Sequence, residues 1–101
     1  MEQLNKIEVI GMVGRTSSTN IGGKECQRFT LCNNTSHTGA DGIMVIDTLW
    51  LSVISWEGPQ VEKGEWVKVT GRLRMNSYVN DAAIEVRVPE VIAQTVEILK
   101  I

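Results

Sequence analysis

The chain has 101 residues, 43% hydrophobic and 22% charged, which excludes a disordered polymer and sets a single domain with a modest core. A formal charge of −2 excludes a uniformly basic nucleic-acid binder, so any polyanion would have to meet a local patch. No apolar stretch approaches the roughly 20 residues that cross a bilayer, and "MEQLNKIEVIG" lacks the basic and apolar regions of a signal peptide; no membrane partner and a cytoplasmic location are expected.

In "NKIEVIGMVG" the residues Ile7, Val9, Gly11 and Val13 share one parity, the pattern of a half-buried strand. The polar stretch "RTSSTNIGG" then predicts a connection. In "ECQRFTLCNN", Gln27, Phe29 and Leu31 take one face and Arg28, Thr30 and Cys32 the other. On one strand Cys26 and Cys32 would lie about 20 Å apart, too far for a disulfide, so both are expected as free thiols of a reducing compartment. "NNTSHTGADG", with the single histidine His37, predicts a second connection.

"DTLWLSVISWEG" decides how two of the three tryptophans are used. As a helix it would point Trp50 and Trp56 in different directions. The β-branched Val53 and Ile54 at its centre favour a strand, which puts both indoles on one face about 20 Å apart, with Leu49, Leu51 and Val53 opposite. Next, Gly58-Pro59 and Gly64 in "EGPQVEKG" leave space for a turn or two of helix at most. "EWVKVTGRLR" alternates clearly, with Val67, Val69, Gly71 and Leu73 inward and Trp66, Lys68, Thr70, Arg72 and Arg74 outward. After "NSYVND", the runs "AIEVRV" and "TVEIL" repeat the pattern. Strands joined by long polar loops in a chain this short predict an all-β barrel or sandwich.

Between Lys63 and Arg74 the cations Lys63, Lys68, Arg72 and Arg74 face one acid, Glu65. Interleaved with Trp50, Trp56, Trp66 and Tyr78, they match what a single nucleic-acid strand requires: flat apolar faces for bases and positive charge for phosphates. The plainer alternatives are burial of the tryptophans in a barrel or subunit interface, and a solvated face for the cations. Catalysis has no support: His37 has no carboxylate–nucleophile constellation, no Cys/His spacing suits zinc, and "GGKE" is not a phosphate loop. The expected protein is not an enzyme and carries no cofactor.

The blocks "NKIEVIGMVGR", "RFTLCNN", "LWLSVISWEG", "KGEWVKVTGRLRMNSY" and "IEVRV" run in the order seen in the bacterial single-stranded DNA-binding proteins, which the chain resembles over nearly its whole length. "ECQRF" and "VKVTG" are also similar to the related primosomal replication protein N group. The resemblance implies an OB-fold over residues 1–101, a five-stranded Greek-key barrel with extended hairpin loops. It implies binding of single-stranded DNA without sequence preference in replication, recombination or repair, with stacking on aromatics in a basic groove. By position Trp50 matches a stacking tryptophan, Trp56 a second aromatic at the strand's end, and Tyr78 an aromatic at the start of a long hairpin. His37 stands where many members place a further tryptophan. Lys68, Arg72 and Arg74 would meet phosphates, Arg15 and Arg28 would extend the groove, and Trp66 is either a further contact or a subunit contact. The short stretch between Trp56 and Lys63 implies that the family's capping helix is reduced or absent. The chain ends without the acidic-tipped tail of the family, which adds weight to two alternatives, an amino-terminal domain of a longer protein and a primosome-type module. The implied partners are single-stranded DNA and copies of itself, as a homodimer or homotetramer. The primosome-type alternative binds DNA weakly and contacts a helicase or helicase loader. RNA on the same face is a third alternative.

Overall fold

Apolar residues at every second position need an inside and an outside, and a sheet closed on itself supplies both. A computed structural model describes residues 1–100, built from β1 (Ile7–Ile21), β2 (Lys24–Thr38), β3 (Met44–Trp56), β4 (Trp66–Val79) and β5 (Glu85–Leu99). These close into a barrel in the order β1-β2-β3-β5-β4, with β3 and β5 parallel and all other neighbours antiparallel. It is the five-stranded all-β barrel that the resemblance implies, and of the two architectures open to the alternation it is the barrel. Among the described residues there is no helix, and so none long and apolar enough to cross a membrane.

Two irregularities let the sheet close. β1 pairs through Ile7–Met12 with β4 and from Met12 onward with β2, where the register slips between Val13 and Thr16. Such a bulge bends a strand and increases its twist, which carries β1 from one neighbour to the other. On β5 the register skips Gln94, so Thr95 opposes Thr70 and Ala93 opposes Gly71. A Cβ at Gly71 would run into the Ile92 carbonyl, so only glycine fits there. The slip moves the inward set of β5 from Val91 and Ala93 to Val96 and Ile98, which join Val13, Phe29, Leu31, Leu51, Val53, Val67 and Val69 in one core.

The segment between β3 and β4, where the resemblance implies a reduced or absent helix, packs into the core. Val61 is buried in the core there, held by the amide of Gln27: its N–H donates to Oε1 at 2.9 Å and its carbonyl accepts from Nε2 at 2.8 Å. A buried glutamine is satisfied by a backbone pair, and the plug needs no helix.

The polar stretches "RTSSTNIGG", "NNTSHTGADG" and "NSYVND", which read as connections, are largely strand. β1 and β2 run to a Gly22-Gly23 turn with φ of 60° and 83°, the mirror-type turn that suits strand twist. β2 and β3 pair out to Thr38 and Met44, which places His37 inside a strand. Beyond the barrel these arms have no core to face, so polar residues pair as well as apolar ones and alternation carries no signal. Leu49 and Leu73, of the expected inward parities, are likewise exposed. "AIEVRV" and "TVEIL" belong largely to one strand through Pro89; β3 reaches β5 only at Glu90–Ile92, so at Pro89 one side is an edge, where proline is tolerated.

Candidate nucleic-acid interface

Cross-strand register assembles the outer face of the barrel. One row runs Arg74–Glu90–Ser52–Thr30 across β4, β5, β3 and β2. The next runs Arg72–Ile92–Ile54–Arg28–Ser17 and reaches β1. With strands about 4.8 Å apart, each row spans roughly 15–20 Å. Trp50 lies on the same face, two residues before Ser52, and is 60% exposed.

The indole of Trp50 lies against a glycine. A Cβ at Gly14 would come within 3.2 Å of its Cζ3 and 2.5 Å of Thr30 Oγ1, so the bulge residue makes space for the ring. The Arg15 N–H donates to Thr30 Oγ1 at 2.9 Å, which fixes the bulge beside the ring. Gly14, Arg15, Thr30, Trp50 and Lys63 line a depression of about 410 Å³. Through Arg15 and Thr30 it continues into a groove that includes Ser17, Arg28, Ser52 and Glu90. Lys63 arrives through backbone bonds of its neighbours to β1, Gly64 N–H to Val13 O at 2.9 Å and Val13 N–H to Glu65 O at 2.8 Å.

Charge along the groove is mixed. Glu90 has a side chain only 5% exposed, and its Oε1 accepts from Arg74 Nη2 at 2.9 Å and Nε at 3.3 Å. Its Oε2 lies 3.6 Å from Arg28 Nε. A flat apolar ring, the hydroxyls of Ser17, Thr30 and Ser52, and four cations around one carboxylate form a surface for a ligand that has both planar and anionic parts.

No protein-family model matches the chain. The single-stranded DNA-binding protein B of Bacillus subtilis (strain 168) is 33% identical over 81 residues, which are 76% of this chain and 72% of that protein. The chain belongs to the single-stranded DNA-binding protein family. A Plasmodium falciparum member solved in complex with single-stranded DNA superposes with a TM-score of 0.84 at 21% identity, over 99% of this chain and 98% of that one. A deletion mutant of the Thermus aquaticus single-stranded DNA-binding protein gives 0.78 at 21% identity, over 96% of this chain and about half, 51%, of that one. At that identity the two likenesses establish the OB-fold of the family.

Of the residues that the family resemblance singles out, the fold brings Trp50, Arg15, Arg28 and Arg74 to one groove. Arg72 sits on the same face but lines a separate depression with Leu4, Asn5 and Lys6. Tyr78 continues the Arg74 face along the β4–β5 arm, opposite Val86 and half exposed. Trp56 shares the Trp50 parity but opens on its own depression with Lys24 and Glu57. Its neighbours on that face, Cys26 and Ile54, are each 1% exposed, so the Trp56 indole borders a closed patch. Trp66 is at the far end of the row Trp50–Cys32–Met12–Trp66, three strands around the barrel. Lys68 lies on that far side, 3.7 Å from Glu8. His37 faces the opposite side of the β2–β3 ribbon from Trp50, with Nδ1 3.6 Å from Asp47 Oδ2.

Gly14, Thr30, Ser52, Lys63 and Glu90 complete the groove without having been singled out for it. Lys63 was visible as a cation of the basic segment, but only the plug at Val61 turns it toward Arg15. Glu90 had one signal, a carboxylate where the apolar alternation of β5 breaks, and nothing in that alternation names its two arginines.

Proposed function

We propose that the chain binds single-stranded DNA without sequence preference, serving replication, recombination or repair. A base stacks on Trp50 while the backbone passes Arg15, Lys63, Arg28 and Arg74. The observation that carries this reading is the exposed indole, seated on Gly14 and bordered by cations, in a member of this family. Every base has a π-face, so stacking accepts any sequence and contributes about 1–3 kcal/mol per base. Tyr78 and Trp56, towards opposite ends of the face, serve as further platforms, with Arg72 a flanking cation. Lys68, Trp66 and His37 lie off the path. The chain acts as a non-enzymatic cytoplasmic protein of a bacterial type and self-associates as a homodimer or homotetramer through Ile10, Met12 and Trp66. No observation here specifically favours the primosomal alternative with its helicase or loader contacts.

Titration of tryptophan fluorescence with oligo-dT at two salt concentrations tests the reading. Strong quenching that weakens as salt rises is expected. Absence of quenching at low salt overturns it, and an equal response to oligo-U extends the ligand to RNA.

A further inference from the structure

A buried carboxylate beneath a face that receives a polyanion needs an explanation. Glu90 is the centre of its row, with Arg74 on one side and Ser52 on the other, and Arg28 diagonal to it. Both of its oxygens are turned to guanidinium groups, at 2.9 and 3.3 Å from Arg74 and 3.6 Å from Arg28. A guanidinium fork suits a carboxylate and a phosphate alike, so Glu90 occupies ground that a backbone phosphate would otherwise take. It does not use up the arginines. Each carries five N–H donors, and both side chains remain accessible, 54% for Arg28 and 42% for Arg74.

We infer that Glu90 is a built-in counter-anion of the binding groove, a residue that sets how much of single-strand affinity is ionic. With Glu90 between them, Arg28 and Arg74 present one net positive charge to an incoming strand, not two. The same contacts hold both guanidinium groups in place before the strand arrives, with their remaining donors outward. The groove is thereby weighted toward stacking, and the complex tolerates salt better than its count of cations implies. This rests on the single-strand reading above and adds to it the residue that tunes it.

The salt dependence of binding measures the net charge directly. For single strands the logarithm of affinity falls with the logarithm of salt by about 0.7 per phosphate neutralised. Glu90→Gln keeps the shape and an acceptor oxygen but removes the charge. Its slope is expected to steepen by about 0.7, so that between 50 and 200 mM salt it loses about 2.6-fold more affinity than the unaltered chain. Arg28→Gln leaves a neutral Arg74–Glu90 pair, and its slope is expected to become shallower by the same amount. Glu8→Gln is the control. It removes an identical charge beside Lys68, off the proposed path, and its slope is expected to match that of the unaltered chain.

Binding of fluorescein-labelled oligo-dT, followed by anisotropy on variants with unchanged circular dichroism, gives all four slopes. An unchanged Glu90→Gln slope overturns the inference, as does equal steepening in Glu90→Gln and Glu8→Gln, which would report overall charge. Loss of affinity at every salt concentration without a change of slope also overturns it, since Glu90 would then be a scaffold alone. Should Glu90→Gln fail to fold, Arg28→Gln, at a half-exposed position, carries the test, and an unchanged slope there overturns the inference. If the unaltered chain does not bind at low salt, the single-strand reading itself falls, which is evident before any variant is compared.

Discussion

At Trp50 the indole is 60% exposed, yet its edge lies against Gly14, with Thr30 lining the same depression. An exposed ring costs apolar hydration that the fold does not recover, and a base stacking on it removes that surface from water. Trp50→Ala is therefore expected to weaken oligo-dT binding by about 1–3 kcal/mol, roughly 5- to 150-fold in Kd. Its melting temperature should stay near that of the unaltered chain, whereas a truncation at buried Leu31 would cost about 2–5 kcal/mol. Anisotropy with a labelled oligonucleotide and a thermal melt check both halves, and a Trp50→Ala chain that unfolds would make the ring structural. Gly14→Val makes the same point without deleting the ring. Its new side chain would meet Thr30 and the edge of the indole, so binding should weaken although every aromatic is present.

The strands of the barrel could be derived from alternation because a core stood on one side of them. Val67 and Val69 against Lys68 and Thr70 state which way β4 faces, and the structure agrees. The arms could not, because a two-stranded ribbon in solvent asks only for pairing and a good turn. Nor could the groove be seen whole, since Arg28, Glu90 and Arg74 meet only through the register of four strands. The arm tips do have a local logic, and it exposes one imperfection. Gly39–Ile43 and Asn80–Ile84 turn with the same pair of backbone bonds: the first N–H donates to the fifth carbonyl, and the fourth N–H to the first carbonyl. The fourth residue has a positive φ in both, 81° at Gly42 and 60° at Ala83. Alanine is strained there by about 1–2 kcal/mol, of which glycine's greater unfolded-state entropy takes back about 0.5–1. Ala83→Gly should thus stabilise the chain by about 0.5–1 kcal/mol, visible as a rise of a few degrees in the melting temperature. A fall would mean that the tip does not hold the left-handed conformation.

As a whole the molecule is more open than its size requires. Its radius of gyration is 15.9 Å, against about 13 Å for a compact domain of this length. Its accessible surface is 7548 Å², against about 5700 Å² for a compact monomer of 11.2 kDa. The excess follows from the arms and from apolar residues left outside the barrel, and such surface calls for a partner. The Trp50 groove meets DNA in the proposed function, and the proposed self-association uses the apolar belt that adjoins it. There Ile10, Met12 and Trp66 adjoin across β1 and β4, each at least 38% exposed. Met12 stands between Trp66 and Cys32 in register, at the centre of that belt. A carboxylate there would be desolvated in each subunit of an assembly, at a cost of several kcal/mol, but remains hydrated in a monomer. Met12→Glu is accordingly expected to convert the oligomer to a species of 11.2 kDa in sedimentation velocity. Trp50 itself lies two strands away on β3, so quenching of its fluorescence by short oligo-dT should persist. An unchanged mass would move the subunit contact from the belt to the arms.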